Sequence, residues 1–336
     1  RLFCESQVYD RMVQIIGSTD SSYSIFVKKI YVHRNDLLSS FENFINSNNS
    51  VFGVVGIAGV GKTNTMCSLA LQKLDDSFVF FYNATIVISP LESISQDLNI
   101  TFSSRTEQDV VLKKLDNLGR YASKDVIIFI DAIDETTNPN IAQELSDIAL
   151  FTRNTERIKI VISCKSNIWD TILKIKNTPT HLHEELSKTH NLESELNDNP
   201  GFHLKNFTDE ELSNILPLYQ EEFGFKGIIS KSLFNELQNG FFLRIFSEVY
   251  CNREVPKEIN DKQLIKQYLK ASLQESSIGH LSSLRILSEI GKIILNHEYT
   301  FAERSEDDGL DINFILDKLK FSLDTNIPED LFARNI

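Results

Sequence analysis

Cysteine, methionine and tryptophan are scarce: four, two and one in 336 residues. Cys4, Cys67, Cys164 and Cys251 lie far apart with no C-x-x-C spacing. Neither a zinc site nor a disulfide framework follows, and reduced thiols in a cytoplasmic compartment are the expectation. Positive charge is also in short supply, with 34 Lys+Arg against 47 Asp+Glu and a net charge of −13. The deficit is shared: 19 basic and 25 acidic residues in 1–200, 15 and 22 in 201–336. No hidden basic half is left to hold a polyanionic duplex, so direct nucleic-acid binding is not expected. Long apolar runs are missing too. The longest weakly charged stretch, around 44–61, is interrupted by Asn, Ser and Gly and falls short of the ~20 apolar residues of a membrane helix. No membrane partner is expected. There is no basic-then-apolar secretory pattern and no internal repeat. The chain opens Arg1-Leu2-Phe3 rather than on Met, which suggests a segment of a longer protein.

What is present describes an ordinary soluble chain, 41% hydrophobic and 24% charged, long enough for two or three domains of roughly 100–200 residues. Leu37, Leu38, Phe41, Phe44 and Ile45 recur at helical spacing behind Asn35 and Asp36, predicting an amphipathic helix over 36–46. Val51–Val55, Phe78–Tyr82, Val126–Ile130 and Ile158–Ile162 are short, almost wholly apolar runs. Alternating with helical patterns at 64–74 and 107–118, they predict a parallel sheet covered on both faces. From about Asp170 to Gly201 the pattern dissolves, and a surface excursion with one polar helix candidate is expected there. Phe202–Leu204 resembles one more short strand. Thr208-Asp-Glu-Glu211 carries a capping signature for a following helix. Leu212, Ile215, Leu216, Leu233, Leu237, Leu243, Phe246, Leu264, Ile265, Leu269 and Leu273 then keep helical spacing, so a composition change near 205 divides an α/β part from an α-rich part.

Gly56-Ile-Ala-Gly59-Val-Gly61-Lys62-Thr63 matches G-x-x-x-x-G-K-[ST] and sits between an apolar strand and a helical pattern, where a phosphate-binding loop belongs. Glycine lets backbone N–H groups turn inward around phosphates, and the helix contributes its positive end. Gly56, Ala58, Gly59, Val60, Gly61, Lys62, Thr63 and Asn64 are the residues expected around ATP or ADP. Lys62 would reach the β and γ phosphates and the Thr63 hydroxyl would ligate Mg²⁺. Val126-Ile-Ile-Phe-Ile130-Asp131 ends an apolar strand in a carboxylate, the arrangement of a second magnesium anchor. Asp134 and Glu135 follow closely enough to orient or deprotonate an attacking water; Glu135 is the preferred base, Asp134 the alternative.

The order Asp131-Ala132-Ile133-Asp134-Glu135, a strand-end acid followed by a small residue and a paired acid, resembles the NACHT group of STAND NTPases. The flavour Gly-Val-Gly-Lys-Thr-Asn64 with Ser163-Cys-Lys-Ser-Asn-Ile-Trp169 is most similar to the prokaryotic antiviral STAND proteins of the Avs type. The resemblance covers about 31–336 and is most specific in the two Walker segments. It implies that Tyr31-Val32-His33-Arg34 lies over the adenine, Arg34 matching a basic position. It also implies that Lys165, where the family generally has Arg, senses the γ phosphate, and that Phe241 replaces a proline packed near the base. Residues 281–336 would begin a winged helix, with His297 the candidate for the β phosphate of ADP and His280, just before it, the alternative. The organisation so implied is an α/β fold: a leader (1–30), a three-layer P-loop domain with a parallel sheet (31–204), a helical lid (205–257) and a partial winged helix (258–336). The function so implied is a slow ATPase switch that self-associates into a ring or tetramer and drives effector and sensor domains outside this segment.

Two other classes fit the motifs. One is an AAA+-like DNA-loading machine, disfavoured by the −7 of 201–336; the other is a scaffold that holds ADP without turnover. His181, His183, Glu184 and His190 do not have the spacing of a metal site. The acidic run 301–330 resembles a solvated face, and Trp169 and the 23 Phe residues have the dispersed placement of core packing.

Overall fold

The computed structural model describes residues 2–17, 24–87, 89–98, 108–190, 199–256, 259 and 261–274. The apolar runs are strands of one sheet: β1 (Val51–Gly56), β2 (Phe78–Asn83), β3 (Val126–Asp131), β4 (Ile158–Lys165) and, beyond a small hairpin of β5 (Lys174–Ile175) and β6 (Thr178–Pro179), β7 (Phe202–His203). The order is β2-β3-β4-β1-β7, and every neighbour is parallel. Alternation along each strand then assigns two faces. Val51, Val55, Ile128, Ile130, Ile160 and Ile162 join one core, while Phe52, Val54, Phe81, Ile127, Phe129 and Val161 join the other.

Helices cover both faces. On the phenylalanine-rich side lie α1 (Leu2–Ile16), α2 (Asn35–Ile45) and α3 (Lys62–Lys73). On the other lie α4 (Pro90–Asp97), α5 (Gln108–Ala122), α6 (Ile141–Thr152), α7 (Ser166–Leu173) and α8 (His181–Thr189). Phe41 of α2 touches Phe52 at 5.7 Å and Phe129 at 6.3 Å between ring centroids, so one side chain fixes the helix on two strands. Trp169 is buried, as its dispersed placement suggested, and its indole N–H donates to the Pro200 carbonyl at 2.9 Å. Among the described residues no helix is long and apolar enough to cross a membrane.

Side chains close parts of the sheet edges. On β2, the Gln7 amide donates to the Phe81 carbonyl and accepts from the Phe81 N–H, both at 3.1 Å. One amide group thus replaces a neighbouring strand and protects an edge that would otherwise recruit another chain. On β1, before β7 begins, Thr189 Oγ1 donates to the Val51 carbonyl at 2.6 Å and His190 Nε2 accepts from the Gly53 N–H at 3.3 Å. Burial, and next His203, push the His190 imidazole down to about 4. The neutral ring is therefore the folded form. Its contribution is complete above the unfolded value of 6.5 and is lost as pH falls from there towards 4, a total of roughly 3 kcal/mol. Urea unfolding of wild type and His190→Gln across this range should show a steeper acid loss in the wild type; parallel curves would remove His190 from that role.

Within the Asp170–Gly201 stretch, the described residues 170–190 depart from the expected surface excursion. Leu182, Glu185 and Leu186 of α8 are buried at the i, i+3, i+4 spacing of one helix stripe. Glu185 bonds Arg153 Nε at 2.5 Å and Lys188 Nζ at 2.7 Å. A carboxylate within the buried stripe is what hid the period. α1, α4, α6 and α7 were not foreseen either, and β4 runs three residues further than its apolar core, to Lys165.

The described chain forms two compact units, one of Arg1–Glu222 with Gln238–Phe241, the other of Phe223–Leu237 with the chain from Phe242. α9 (Asp209–Phe223) opens with the foreseen cap: Thr208 Oγ1 accepts from the Glu211 N–H at 3.2 Å, and Glu211 Oε2 accepts from the Thr208 N–H at 2.8 Å. α10 (Lys231–Glu236), α11 (Gly240–Val249) and α12 (Asp261–Gln274) follow. In the second unit Phe246 packs edge-on to Phe225 at 5.4 Å, and the Arg244 guanidinium lies 5.1 Å from the Phe223 ring centroid. Apart from 259 and α12, the expected winged helix, including His280 and His297, lies outside the described residues.

Candidate functional site

Because β4 lies between β1 and β3, the C-terminal ends of three strands meet, each bringing one element of the motif set. β1 ends at Gly56, directly opposite Lys165 of β4. The chain then turns through Gly59 (φ +81°) and Gly61 (φ +96°) into α3. Both angles lie in the left-handed region that glycine adopts without cost. At Gly59 a Cβ would also stand 2.7 Å from the Phe241 Cβ. Lys62 folds back over the loop, donating from Nζ to the carbonyls of Gly56 (2.9 Å) and Ile57 (3.0 Å). Burial lowers its pKa, and Asp134 opposes the shift. Ala58 is exposed, Val60 is buried against Gly56, and Asn64 is half-buried in the first turn of α3.

Asp131 ends β3 with no exposed surface. Its Oδ1 accepts from Ser163 Oγ at 2.5 Å and its Oδ2 from Asn83 Nδ2 at 3.2 Å, and the nearby Thr63 hydroxyl favours its charge. Burial raises its pKa, against the pull of those three donors. Among the described residues no cationic side chain forms an ion pair with Asp131. Metal coordination is one way a buried carboxylate of that kind can be compensated, and the adjoining Thr63 hydroxyl offers a second oxygen of the hard type magnesium selects. The donor set therefore fits Mg²⁺. Neither Asn83 nor Ser163 was among the expected site residues. Both could have been found as polar residues at strand ends in register with, or one strand across from, the acid.

After Asp131 the backbone makes an abrupt turn: Ala132 has φ 56° and ψ 47°, and its N–H donates to Ser163 Oγ at 2.9 Å. A left-handed non-glycine residue stores strain, and it redirects the chain into the 3₁₀ turn Ile133–Glu135 that carries the acid pair. Asp134 Oδ1 accepts from the Lys165 N–H at 2.8 Å, and its Oδ2 lies 3.1 Å from Lys165 Nζ. Glu135 Oε1 lies 2.7 Å from the same Nζ. For Lys165, burial works against the charge, but Glu135 and Asp134 outweigh it and raise the pKa. The fold is that of a P-loop NTPase.

The residues tied to adenine by resemblance are placed less uniformly around this P-loop. Tyr31, edge-on to His33, reaches Thr65 Oγ1 of α3 at 3.4 Å, and Val32 between them is half-buried. Arg34 is engaged elsewhere: its guanidinium pairs with both Glu211 oxygens (2.8 and 3.1 Å), donates to the carbonyls of Lys205 (2.6 Å) and Asn206 (3.3 Å), and lies over Phe207. Phe241 does reach the loop. Its N–H donates to the Gly59 carbonyl at 2.9 Å and to Asn239 Oδ1 at 3.0 Å, while the side chain is half-exposed.

No family model matches this sequence, and none of the curated proteins does. Among solved structures the chain is similar to Cdc6p from Pyrobaculum aerophilum, at 15% identity and TM-score 0.44 over 76% of this chain and 63% of that one. It is similar to the Walker-type ATPase PABY2304 of Pyrococcus abyssi at 15% identity and TM-score 0.42, covering 90% and 89% of the two chains. It is similar also to the Aeropyrum pernix Orc1 protein solved in complex with DNA, at 14% identity and TM-score 0.46, covering 93% and 87%.

Proposed function

We propose that this chain is the ATP-hydrolysing switch module of a NACHT-type STAND protein of the antiviral class. The observation that carries the ATPase part is the convergence of Lys62, Thr63 and the buried Asp131 on the loop after β1. Loop N–H groups and Lys62 bind the β and γ phosphates, and Thr63 and Asp131 hold Mg²⁺. Bound Mg²⁺ supplies charge neutralisation along the phosphate oxygens. Water attacks the terminal phosphorus, Glu135 takes its proton, the bond to the bridging oxygen breaks, and ADP leaves. The Asp131-Ala132-Ile133-Asp134-Glu135 order supports the NACHT assignment, with an effector and a sensor outside this segment.

Switching follows from differential affinity: ATP shifts a closed-to-open balance only as far as it binds one state better. Sedimentation with MgATP and with MgADP tests this. The switch reading expects ADP retained on the purified protein, a monomer with MgADP, and a ring or tetramer with MgATP in the full-length protein. Identical behaviour with both nucleotides would contradict it. Salt-sensitive, tight binding of duplex DNA by fluorescence anisotropy would favour a DNA-loading machine instead.

A further inference from the structure

The two acids after β3 sit in different surroundings. The Asp134 side chain is 2% exposed and that of Glu135 is 46% exposed. Asp134 holds Lys165 at two points, by a hydrogen bond from the backbone N–H to Oδ1 (2.8 Å) and by an ion pair of Oδ2 with Nζ (3.1 Å). Lys165 is the last residue of β4 and stands in register with Gly56, where the phosphate loop begins. Asp134 thus ties the turn after Asp131 to the strand end beside the loop, and with its side chain 2% exposed it lies away from the water that Glu135 meets. Glu135 has a single contact in this set, with Lys165 Nζ at 2.7 Å. Both members of that pair are about a third or more exposed, so water screens it and it exchanges readily.

Resting on the ATPase reading above, we propose that Asp134 is a positioning residue that holds Lys165, and that the Lys165–Glu135 pair is exchangeable, opened by a terminal phosphate. The phosphate draws the ammonium away while Asp134 keeps the Lys165 backbone in place. Glu135, released, is free to take the proton of the attacking water. Without a terminal phosphate Lys165 keeps Glu135 occupied, which couples catalytic competence to the presence of ATP rather than ADP.

The test is the pH dependence of kcat, with kcat and KM measured separately, for wild type, Asp134→Asn, Asp134→Ala, Glu135→Gln, Lys165→Ala and Lys165→Arg. Melting curves check that each is folded. Glu135→Gln should lower kcat by about 10²–10⁴-fold and lose the acidic limb of the profile. Asp134→Asn, which keeps an oxygen for the Lys165 N–H, should lower kcat by about 10-fold, the loss of one well-placed contact, and retain that limb. Lys165→Ala should lose the preference for a non-hydrolysable ATP analogue over MgADP, and Lys165→Arg should restore part of it. Loss of the acidic limb in Asp134→Asn to the extent seen in Glu135→Gln, or an unchanged preference in Lys165→Ala, overturns the inference. Asp134→Asn answers the question even where Asp134→Ala does not fold. A wild type that neither binds nor hydrolyses MgATP removes the ATPase reading and this inference together. Turnover by the wild type with the wrong variant pattern removes the inference alone.

Discussion

Asp131→Asn should leave the nucleotide-free protein within about 1 kcal/mol of wild type while lowering turnover by about 10²–10³-fold. The two effects separate because the carboxylate is expensive to the fold and useful only with a cation. Burial raises its pKa, so the ionised form is disfavoured in the folded chain. By linkage, the stability of the nucleotide-free protein falls as pH rises from the unfolded value through the folded one. A neutral amide removes that cost. Against that gain, Ser163 still finds an oxygen, whereas Asn83 Nδ2, now facing a second amide donor, loses its acceptor, a loss of about 1–3 kcal/mol that offsets the gain. Ligand-linked stability should behave in the opposite way. At about 100-fold excess over its dissociation constant, MgATP adds about 2.7 kcal/mol to a protein that binds it, and the variant should lose this shift. Thermal melting with and without MgATP checks both halves. A variant that keeps the magnesium-dependent shift would remove Asp131 from the metal site.

Arg34→Ala should destabilise the protein by about 1–3 kcal/mol, the cost of leaving the acceptors of a buried guanidinium without their donor. The Arg34 and Glu211 side chains are 8% and 22% exposed, and the pairing is bidentate. Glu211 also completes the cap of α9, and burial of its carboxylate is outweighed by the Thr208 N–H and by Arg34. Losing the guanidinium therefore strands one charge, two carbonyls and a helix start together. Arg34→Lys, which keeps charge but not the fork, should fall between wild type and alanine. Urea midpoints measure this. An unchanged midpoint with weakened ATP binding would return Arg34 to the adenine role that the resemblance implies.

Arg34 also shows where sequence reading stops. A basic residue before an amphipathic helix is visible in the chain, but its partners, Lys205, Asn206 and Glu211, lie more than 170 residues away. The phosphate loop and the strand-end acid were legible because their chemistry is local: glycines, Lys62 and Thr63 are consecutive, and Asp131 directly ends an apolar strand. The strands were legible because they are buried on both faces and nearly free of polar residues. The edge closures by Gln7, Thr189 and His190 were not, since a polar side chain standing in for a strand carries no periodic signal. The packed α8 was hidden for a related reason, its buried stripe containing Glu185, which Arg153 and Lys188 neutralise. Asn83 and Ser163 acquire meaning only from strand order, which places their strands on either side of β3.

Calorimetric titration of MgATP into wild type and Lys62→Ala tests the central claim most directly. Lys62 is folded onto the carbonyls of Gly56 and Ile57 at the mouth of the loop, where the proposed function brings the phosphates. Saturable, magnesium-dependent binding by the wild type, lost in a Lys62→Ala protein of unchanged melting temperature, is the expected result. Equal affinity in the two proteins would contradict the phosphate-loop assignment and, with it, the nucleotide-operated switch.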